Sequence, residues 1–248
     1  MKISVITAVY NGINTIEDTL RSVKSQDYTD IDHVVIDGAS SDGTVELIGR
    51  HIDSISTFIS EPDMGIYHAL NKGIANAIGD VVGFLHSDDM FASSAALSRI
   101  ADAFQDPAVG AVYGDLVYVK RHDASQVVRY WRSGKYSSAR ILRGWMPPHP
   151  TFYVRRDLYH SLGLFNTKFR IAADYESILR ILERGRIRAE YIPEVLVRMR
   201  VGGVSNRSVR NMVLKTCEDY RAMRMNEIGG VTTLLLKNLT KLPQFFFK

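Results

Sequence analysis

The sequence lacks several features that would assign it to a class at once. Its 248 residues contain a single cysteine, Cys217, so a disulfide within the chain is impossible, which is typical of a reducing compartment. No apolar run approaches the roughly 20 residues that a membrane-spanning helix requires. Strand-like residues follow Met1 directly, so we expect no signal peptide. Low-complexity tracts and internal repeats are also missing from the sequence, and these absences together predict a globular protein of the cytoplasm.

A dinucleotide-binding motif is missing as well. The pattern G-x-G-x-x-G, which brings a helix amino terminus to a pyrophosphate, occurs nowhere in the sequence. This disfavours an enzyme that uses NAD or FAD. Since 46% of the residues are apolar, the chain can bury a substantial core in one large domain, or in one domain with an appendage.

Charge is distributed unevenly along the chain, although the formal net charge is only +4. Residues 1–119 carry 6 Lys/Arg and 17 Asp/Glu, whereas residues 120–248 carry 25 Lys/Arg and 10 Asp/Glu. An acidic half can hold a metal ion, and a basic half can face phosphates or an anionic membrane. The two halves could equally attract each other or be solvated, and charge alone leaves these alternatives open.

The first half of the chain alternates predicted strands and helices. Short segments rich in valine and isoleucine predict strands at 3–9, 33–37, 57–60, 81–85 and 110–113. Helix-start signals and amphipathic spacing predict helices at 15–25, 44–52, 66–78 and 94–104. This alternation predicts a doubly wound α/β fold whose mostly parallel central sheet binds ligands at the carboxyl ends of its strands.

The pattern changes after residue 114. Predicted strands lie at 115–119, 127–132, 151–154, 188–192 and 196–200, and predicted helices at 156–162, 174–184 and 206–227. Residues 133–150 are rich in glycine and proline and predict a long functional loop. We interpret this half as a mixed α/β part that is continuous with the sheet.

Three polar clusters follow the first three predicted strands, at residues 7–12, 37–44 and 60–67. Asp37 ends the second strand, where a carboxylate can accept hydrogen bonds from a nucleobase or a ribose. Lys72 lies on a helix whose amino end faces the expected ligand. Each cluster has a simpler explanation as turn or helix-cap chemistry.

A fourth cluster, Phe84-Leu85-His86-Ser87-Asp88-Asp89, follows the fourth strand. Adjacent carboxylates repel each other unless a cation or water compensates their charge. A hard divalent cation bound by carboxylate and diphosphate oxygens would do so. A solvated turn that caps the next helix is the alternative.

Taken together, these clusters make the sequence resemble glycosyltransferase family 2, whose fold is the GT-A Rossmann-like sandwich. The resemblance covers nearly the whole chain, and members that build bacterial surface polysaccharide and lipopolysaccharide are the most similar. The segments that carry it are ISVITAVYNG (3–12), VIDGASSDGT (35–44), SEPDMGIYHALNKGI (60–74), FLHSDD (84–89), HPTFYVRRDLY (149–159), FRIAADYE (169–176) and GGVS (202–205).

The resemblance implies a nucleotide-sugar donor, a glycan or lipid-linked acceptor and no nucleic-acid partner. It implies a nucleotide-sugar-binding half at 1–114, an acceptor-binding and catalytic half of the same domain at 115–227, and a tail at 228–248. The residues implied to bind the donor are Thr7, Tyr10, Asp37, Asp63, Lys72 and Asp88.

The resemblance also implies a divalent cation, Mn²⁺ or Mg²⁺, at the family's D-x-D position, which is occupied here by Ser87-Asp88-Asp89. Only one carboxylate is then expected to bind the metal directly. We favour Asp89, with Asp88 directed toward the ribose or bound through water.

Asp174 matches the family's catalytic base, with Glu176 as the second candidate. The family inverts the anomeric carbon, so the base must act opposite the leaving diphosphate. Arg143-Gly144-Trp145 is only a fragment of the Q-x-x-R-W element of processive members, so single-sugar addition is favoured. His149 receives little weight, because a lone histidine is more often structural.

Two rival functions stay open from the sequence. A metal-dependent nucleotidyltransferase shares the nucleotide-binding layout, but it usually has a Gly-rich basic loop after the first strand, where this chain has Tyr10-Asn11-Gly12-Ile13. An inactive glycan- or nucleotide-binding module is the other, and the acidic residues at every expected position argue against it.

The tail at 228–248 predicts an amphipathic helix that ends at Pro243. Leu235, Leu239 and Leu242 share one helical face, and Lys237, Lys241, Lys248 and Phe245-Phe246-Phe247 accompany them. This composition suits a segment that lies in an anionic membrane interface. Packing of the apolar stripe on the protein itself, or in a dimer, is an equally good interpretation.

Overall fold

The computed structural model describes residues 1–202 and 209–239. Its first half alternates strands and helices: β1 (Ile3–Val9), α1 (Ile16–Lys24), β2 (Ile31–Asp37), α2 (Thr44–Gly49), β3 (Thr57–Ser60), α3 (Ile66–Asn76) and β4 (Val81–Phe84). The four strands pair in parallel in the order β3-β2-β1-β4. β1 and β4 are buried along their whole length, as strands covered by helices on both faces should be.

The second half extends the same sheet with mixed pairing. Its elements are β5 (Met90–Phe91), α4 (Ala96–Ala103), β6 (Ala111–Lys120), β7 (Asp123–Trp131), α5 (Ser138–Leu142), β8 (Tyr153–Arg155), α6 (Arg156–Leu162), α7 (Ala173–Leu179), β9 (Ala189–Arg200), α8 (Val209–Met225) and α9 (Val231–Leu239). The sheet continues from β4 through β8, β6 and β9 to β5, and β7 pairs with β6. The predicted α/β fold, with a mixed second part continuous with the sheet, is confirmed.

Two of the predicted element boundaries are wrong. The predicted strands at 110–113 and 115–119 form one strand, β6, which passes through the predicted division at residue 114. Those at 188–192 and 196–200 form one strand, β9. β6 and β9 pair in parallel along most of their length, with a bulge near Gly114 and Asp115. At the bulge the alternation of side chains along the strand changes, but the pairing continues. The sequence pattern therefore predicts two short strands where the structure has one.

Helix α9 packs on the protein, and this corrects part of the tail interpretation. Lys237 is buried, its Nζ lies 2.8 Å from Asp219 Oδ1, and the ammonium lies 3.1 Å from the centroid of the Tyr175 ring. Lys237 therefore cannot face a membrane surface. Leu235 is exposed. The side chain of Leu239 and all of residues 240–248 lie outside the described residues.

Within residues 1–202 and 209–239, no helix combines the length and the apolar character that crossing a bilayer would require.

Gly83 determines how closely β8 packs against β4. A Cβ at this position would lie 2.1 Å from Cε1 of Tyr153, a ring that is fully buried. We expect Gly83→Ala to lower the free energy of unfolding by about 1–3 kcal/mol, because the rigid ring must move in a packed core. Urea denaturation measures this. Gly49→Ala, where an added Cβ meets nothing within 4 Å, is the control and should change stability by less than about 1 kcal/mol. Equal stability of the two variants would contradict the packing argument.

Candidate active site

A cleft of about 530 Å³ opens at the carboxyl ends of β1 and β4. It extends between the loops that follow these strands and the amino-terminal turn of α7. Of the seven residues expected to bind donor or metal, Tyr10, Asp63 and Asp88 line the cleft, as does the expected base, Asp174. Thr7, Asp37, Lys72 and Asp89 do not line it.

One end of the cleft is formed by Tyr10 and Asp63. The Tyr10 side chain is 68% exposed, so a flat ligand can stack on its ring. Asp63 lies over Gly38, where an added Cβ would be 2.8 Å from Asp63 Oδ2 and 3.3 Å from the Tyr10 ring. Asp63 Oδ1 also accepts a hydrogen bond of 2.8 Å from the Gly65 amide. The missing side chain at Gly38 thus lets two cleft-lining residues approach the backbone.

Asp37 supports this end of the cleft from behind. It is fully buried and accepts hydrogen bonds from the Ser40 amide (2.9 Å) and the Ser60 hydroxyl (2.7 Å). Ser40 Oγ in turn accepts a 2.8 Å bond from the Asn11 amide. Asn11 and Ala39 have positive φ angles of 50° and 61°, an uncommon conformation for residues other than glycine that clusters at functional sites.

Thr7 and Lys72 also make internal contacts. The Thr7 hydroxyl is buried 3.2 Å from His33 Nε2, and burial lowers the pKa of His33 to about 4. Lys72 Nζ lies 2.6 Å from Glu61 Oε1. Neither side chain is directed into the cleft: Thr7 is buried within β1, and Lys72 lies on the flank of α3.

The two carboxylates after β4 face opposite ways, and this corrects the orientation expected for Asp89. Asp88 lines the cleft, whereas Asp89 is fully buried and its Oδ1 accepts a 3.2 Å bond from the Arg200 amide. Burial, followed by the charge of Asp88, raises the pKa of Asp89 well above its usual range. The cause is structural: Asp89 directly precedes β5, whose pairing with β9 draws the chain into the sheet.

A hydrogen-bonded chain of side chains crosses the cleft from His86 to Tyr67. His86 Nε2 lies 3.0 Å from His149 Nε2, and His149 Nδ1 lies 3.2 Å from Asp174 Oδ2. The Tyr67 hydroxyl lies 2.6 Å from the Ile171 carbonyl and 3.3 Å from Asp174 Oδ1. Asp174 is thereby oriented from both sides while its side chain stays 23% exposed.

The hydrogen bonds and pKa shifts together assign the protons of this chain. Burial lowers the pKa of His149, an effect that the charges of Asp174 and Asp88 oppose, and burial lowers the pKa of His86 to about 3. Both rings are therefore neutral near pH 7. His149 donates from Nδ1 to the Asp174 carboxylate, and its Nε2 accepts from His86 Nε2. The His86 and His149 pair was missed by the sequence reasoning, although His86 stands in the strand-end cluster and His149 between two prolines.

The turn before α7 is held by a carboxylate from another helix. Glu218 of α8 is buried and accepts hydrogen bonds of 2.8, 2.8 and 2.9 Å from the amides of Arg170, Ile171 and Ala172. These amides precede the helix whose first turn carries Asp174. A negative charge at a helix amino terminus is favourable, so Glu218 stabilises the turn that positions Asp174.

Glu176, the second candidate for the base, has a structural position. It is buried, and both of its carboxylate oxygens accept 3.1 Å hydrogen bonds from the Arg180 guanidinium. Its carboxylate does not line the cleft. Asp174 is therefore the carboxylate of α7 that a substrate can reach.

The residues present fit a divalent cation held largely by a diphosphate. Among the described residues no group of three or more His, Cys, Asp or Glu side chains could hold a metal by itself. Asp88 nevertheless presents a carboxylate to the cleft, and Mg²⁺ in particular is commonly bound by one or two carboxylates together with substrate phosphates and water.

Comparisons with known proteins agree with this geometry. Residues 4–171 match the sequence model described as glycosyl transferase family 2. The chain belongs to this family. An uncharacterized glycosyltransferase of Mycobacterium tuberculosis is 34% identical over 181 residues, which are 72% of this chain and 68% of the relative. A PGL/p-HBAD biosynthesis glycosyltransferase of Mycobacterium bovis is 26% identical over 219 residues, which are 86% of this chain and 82% of the relative. The chain is thus a glycosyltransferase.

Solved structures confirm the GT-A fold of this family 2 enzyme. S. aureus TarS 1-349, in complex with UDP-GlcNAc, superposes with a TM-score of 0.71 at 19% identity, covering 91% of this chain and 65% of that one, slightly under two thirds. The mannosyltransferase PcManGT from Pyrobaculum calidifontis, in complex with GDP-Man and Mn²⁺, gives a TM-score of 0.68 at 24% identity. It covers 99% of this chain and 73% of that one.

The role of Glu218 in this family 2 chain can be tested without a substrate. Glu218→Gln keeps the shape but removes the charge that three amides share, so we expect the free energy of unfolding to fall by about 1.5–3 kcal/mol. Amide hydrogen exchange at residues 170–176 should accelerate more than in the rest of the chain. Cys217→Ser, at the exposed neighbouring position, is the control. Unchanged exchange at 170–176 would show that Glu218 does not hold this turn.

Proposed function

We propose that the chain is an inverting, metal-dependent glycosyltransferase that moves one sugar from a nucleotide-sugar donor to an acceptor hydroxyl. The observation that carries this proposal is the meeting of Asp88 and Asp174 in one cleft, with His149 between them and within range of both charges. An inverting displacement needs charge stabilisation for the leaving diphosphate and a base near the attacking hydroxyl. The cleft provides a candidate for each.

The donor's nucleoside fits the end formed by Tyr10 and Asp63, where a base can stack on the exposed ring. A divalent cation, Mn²⁺ or Mg²⁺, would be held by Asp88 and would supply neutralisation of the diphosphate charge. Arg121 lines the cleft, and its carbonyl accepts from the same Arg200 guanidinium that binds the Asp88 carbonyl. Arg121 is therefore placed to face the diphosphate as well. PcManGT, whose structure contains GDP-Man and Mn²⁺, supports this arrangement.

Asp174 is the proposed base. His149 donates a hydrogen bond to Oδ2, and the Tyr67 hydroxyl, whose proton is shared with the nearer Ile171 carbonyl, contacts Oδ1 at 3.3 Å. Lone pairs on both oxygens are left for the acceptor hydroxyl. The carboxylate thus has a fixed direction before the acceptor arrives, and His149 acts as a positioning residue. Fixed geometry of this kind supplies a large part of enzymatic rate acceleration.

The acceptor is proposed to be a glycan or lipid-linked glycan of bacterial surface polysaccharide or lipopolysaccharide assembly, on the cytoplasmic side of the membrane. The relative named for PGL/p-HBAD biosynthesis supports a biosynthetic role for the transfer. Leu235 is exposed on α9, whereas Lys237 is buried. We therefore propose the membrane contact only for exposed residues of the tail. Vesicle co-sedimentation of the full chain and of a chain ending at Leu239 measures whether residues 240–248 are needed for this contact.

The metal assignment is tested with Asp88→Asn and Asp89→Asn. We expect Asp88→Asn to weaken the Mn²⁺-dependent binding of a nucleoside diphosphate at least about tenfold, because the cleft loses its exposed carboxylate. Thermal shifts with UDP, GDP and dTDP, each with and without Mn²⁺, measure this. Asp89→Asn is the matched control and should keep the Mn²⁺-dependent shift. The reverse result would transfer the metal to Asp89.

The base assignment is tested with Asp174→Asn. This variant should bind donor normally yet lose transfer by about a hundredfold or more, because an amide cannot take the acceptor proton. His149→Asn should lose less and should keep a pH profile governed by one carboxylate, since histidine only orients Asp174. Donor binding is read by thermal shift, and transfer by release of nucleoside diphosphate with acceptor present. Near-normal transfer by Asp174→Asn would refute the base role.

A further inference from the structure

One part of the cleft is largely apolar, and the side chains that line it are almost completely buried. We name this region the apolar end, and it is lined by Leu70, Phe84, Tyr159, Phe165, Ser177 and Ile178, each no more than 7% exposed. Three of its rings contact one another, with centroid distances of 5.2 Å for Phe84–Phe165, 6.1 Å for Phe84–Tyr159 and 6.2 Å for Tyr159–Phe165. Five of these six side chains, all except Ser177, also belong to the main hydrophobic core.

One polar atom in this wall lacks a partner. Ser177 Oγ is buried and makes no hydrogen bond within the described part of the chain. Ser177 follows Asp174 by three residues on α7, so both side chains project from the same helical face into the cleft. An unsatisfied buried hydroxyl is unfavourable, and a ligand hydroxyl bonded to it would remove that cost. The orphaned atom thus indicates a polar ligand group close to Asp174.

The group that fits so buried a part of the cleft is one that terminates there. An acceptor continues from its reacting hydroxyl into a glycan or lipid and must leave through the open mouth. The donor sugar is attached only through its anomeric carbon, so its far side can be enclosed. Asp174 is joined to the apolar end through Tyr67, whose ring lies 5.7 Å from that of Phe165. The far side of the transferred sugar therefore reaches the aromatic wall when its anomeric carbon lies near Asp174.

We propose, on the basis of the function proposed above, that the transferred sugar is a 6-deoxyhexose. Its C6 methyl would pack against Phe84 and Phe165, and one ring hydroxyl would bond to Ser177. A hexose with a 6-hydroxyl would bury that group against carbon, whereas a methyl group gains from the same surface. The chemistry of transfer is unchanged: the bond from the anomeric carbon to the diphosphate breaks, the acceptor oxygen bonds to that carbon, and its proton passes to Asp174.

Matched nucleotide sugars that differ only at C6 test this inference. The pairs are GDP-L-fucose and GDP-L-galactose, GDP-D-rhamnose and GDP-D-mannose, dTDP-L-rhamnose and dTDP-L-mannose, and UDP-6-deoxyglucose and UDP-glucose. Release of nucleoside diphosphate by the full chain with Mn²⁺ gives kcat/KM for each. In any pair that is turned over, we expect the 6-deoxy member to be favoured by about tenfold to a hundredfold, the range that one added hydroxyl permits in an apolar pocket.

The outcomes separate this inference from the proposed function. Equal or better turnover of a 6-hydroxy donor would overturn the 6-deoxyhexose assignment and leave the glycosyltransferase proposal intact. A different result would overturn both proposals. In that case no pair releases nucleoside diphosphate, no nucleotide sugar raises the melting temperature with Mn²⁺, and the cleft does not bind such donors.

Two variants locate the preference. Ile178→Asn introduces a partner for a 6-hydroxyl and should reduce the ratio within a pair by about tenfold. Ser177→Ala should lower kcat/KM for both members by about tenfold, leave their ratio unchanged and not reduce thermal stability, because the hydroxyl has no protein partner. Ser161→Ala, on the exposed face of α6, is the control. A loss of stability in Ser177→Ala without a change in kcat/KM would give Ser177 a structural role and remove it from the sugar site.

Discussion

The buried guanidinium of Arg200 joins the two halves of the chain behind the loop that carries Asp88. Arg200 ends β9 and is 6% exposed. Its Nη1 donates to the Asp88 carbonyl at 3.0 Å, its Nε donates to the Arg121 carbonyl at 3.1 Å, and its Nη2 pairs with Asp18. A buried arginine requires partners for its donors, and here they are supplied by the loop after β4 and by the turn between β6 and β7. The position of Asp88 therefore depends on a residue 112 positions later in the sequence.

This arrangement gives the uneven charge of the sequence a physical meaning. The acidic first half contributes Asp63 and Asp88 to the cleft, and the basic second half contributes Arg121 and Arg170. Arg200 pairs with Asp18 and so offsets part of the negative charge behind the cleft. The carboxylate of Asp88 faces the cleft itself. The two halves thus contact each other through paired charges, and each also presents charged side chains to the cleft.

The sequence predicted the fold well because strand length and apolar patterning are local properties. It also predicted which loops meet, since the carboxyl ends of parallel strands share one edge of a sheet. It could not predict which carboxylate of the adjacent pair faces outward. That choice follows from the pairing of β5 with β9, a contact between residues 90–91 and 197–198 that no local pattern contains. Thr7 and Asp37 differ from the prediction for a similar reason, since partners from neighbouring segments form hydrogen bonds with their side chains.

The contact between the two histidines could not be predicted from the sequence either, because it too depends on long-range pairing. His86 and His149 are separated by 63 positions, and only the pairing of β8 with β4 and the turn at residues 149–151 bring the rings together. Lys237 is a further case. In isolation it belongs to a basic amphipathic tail, but in the structure it supports Tyr175, the neighbour of Asp174, and completes a pair with Asp219. A residue that spacing assigns to a surface thus stabilises the helix that carries Asp174.

Helix α7 couples the proposed reaction to the proposed choice of sugar. It carries Asp174 and Ser177 on one face, and its position is determined by Glu218 at its amino end and by α9 against Tyr175. A shift of this helix would move the base and the sugar-binding hydroxyl together.

The recognisable motifs lie mainly in the loops after β1, β2, β3 and β4, where donor binding is proposed. The apolar end is assembled from α3, β4, α6, α7 and a connecting loop, and its residues are mostly ordinary core types. The proposed specificity therefore resides in side chains that only the folded cleft distinguishes from core residues.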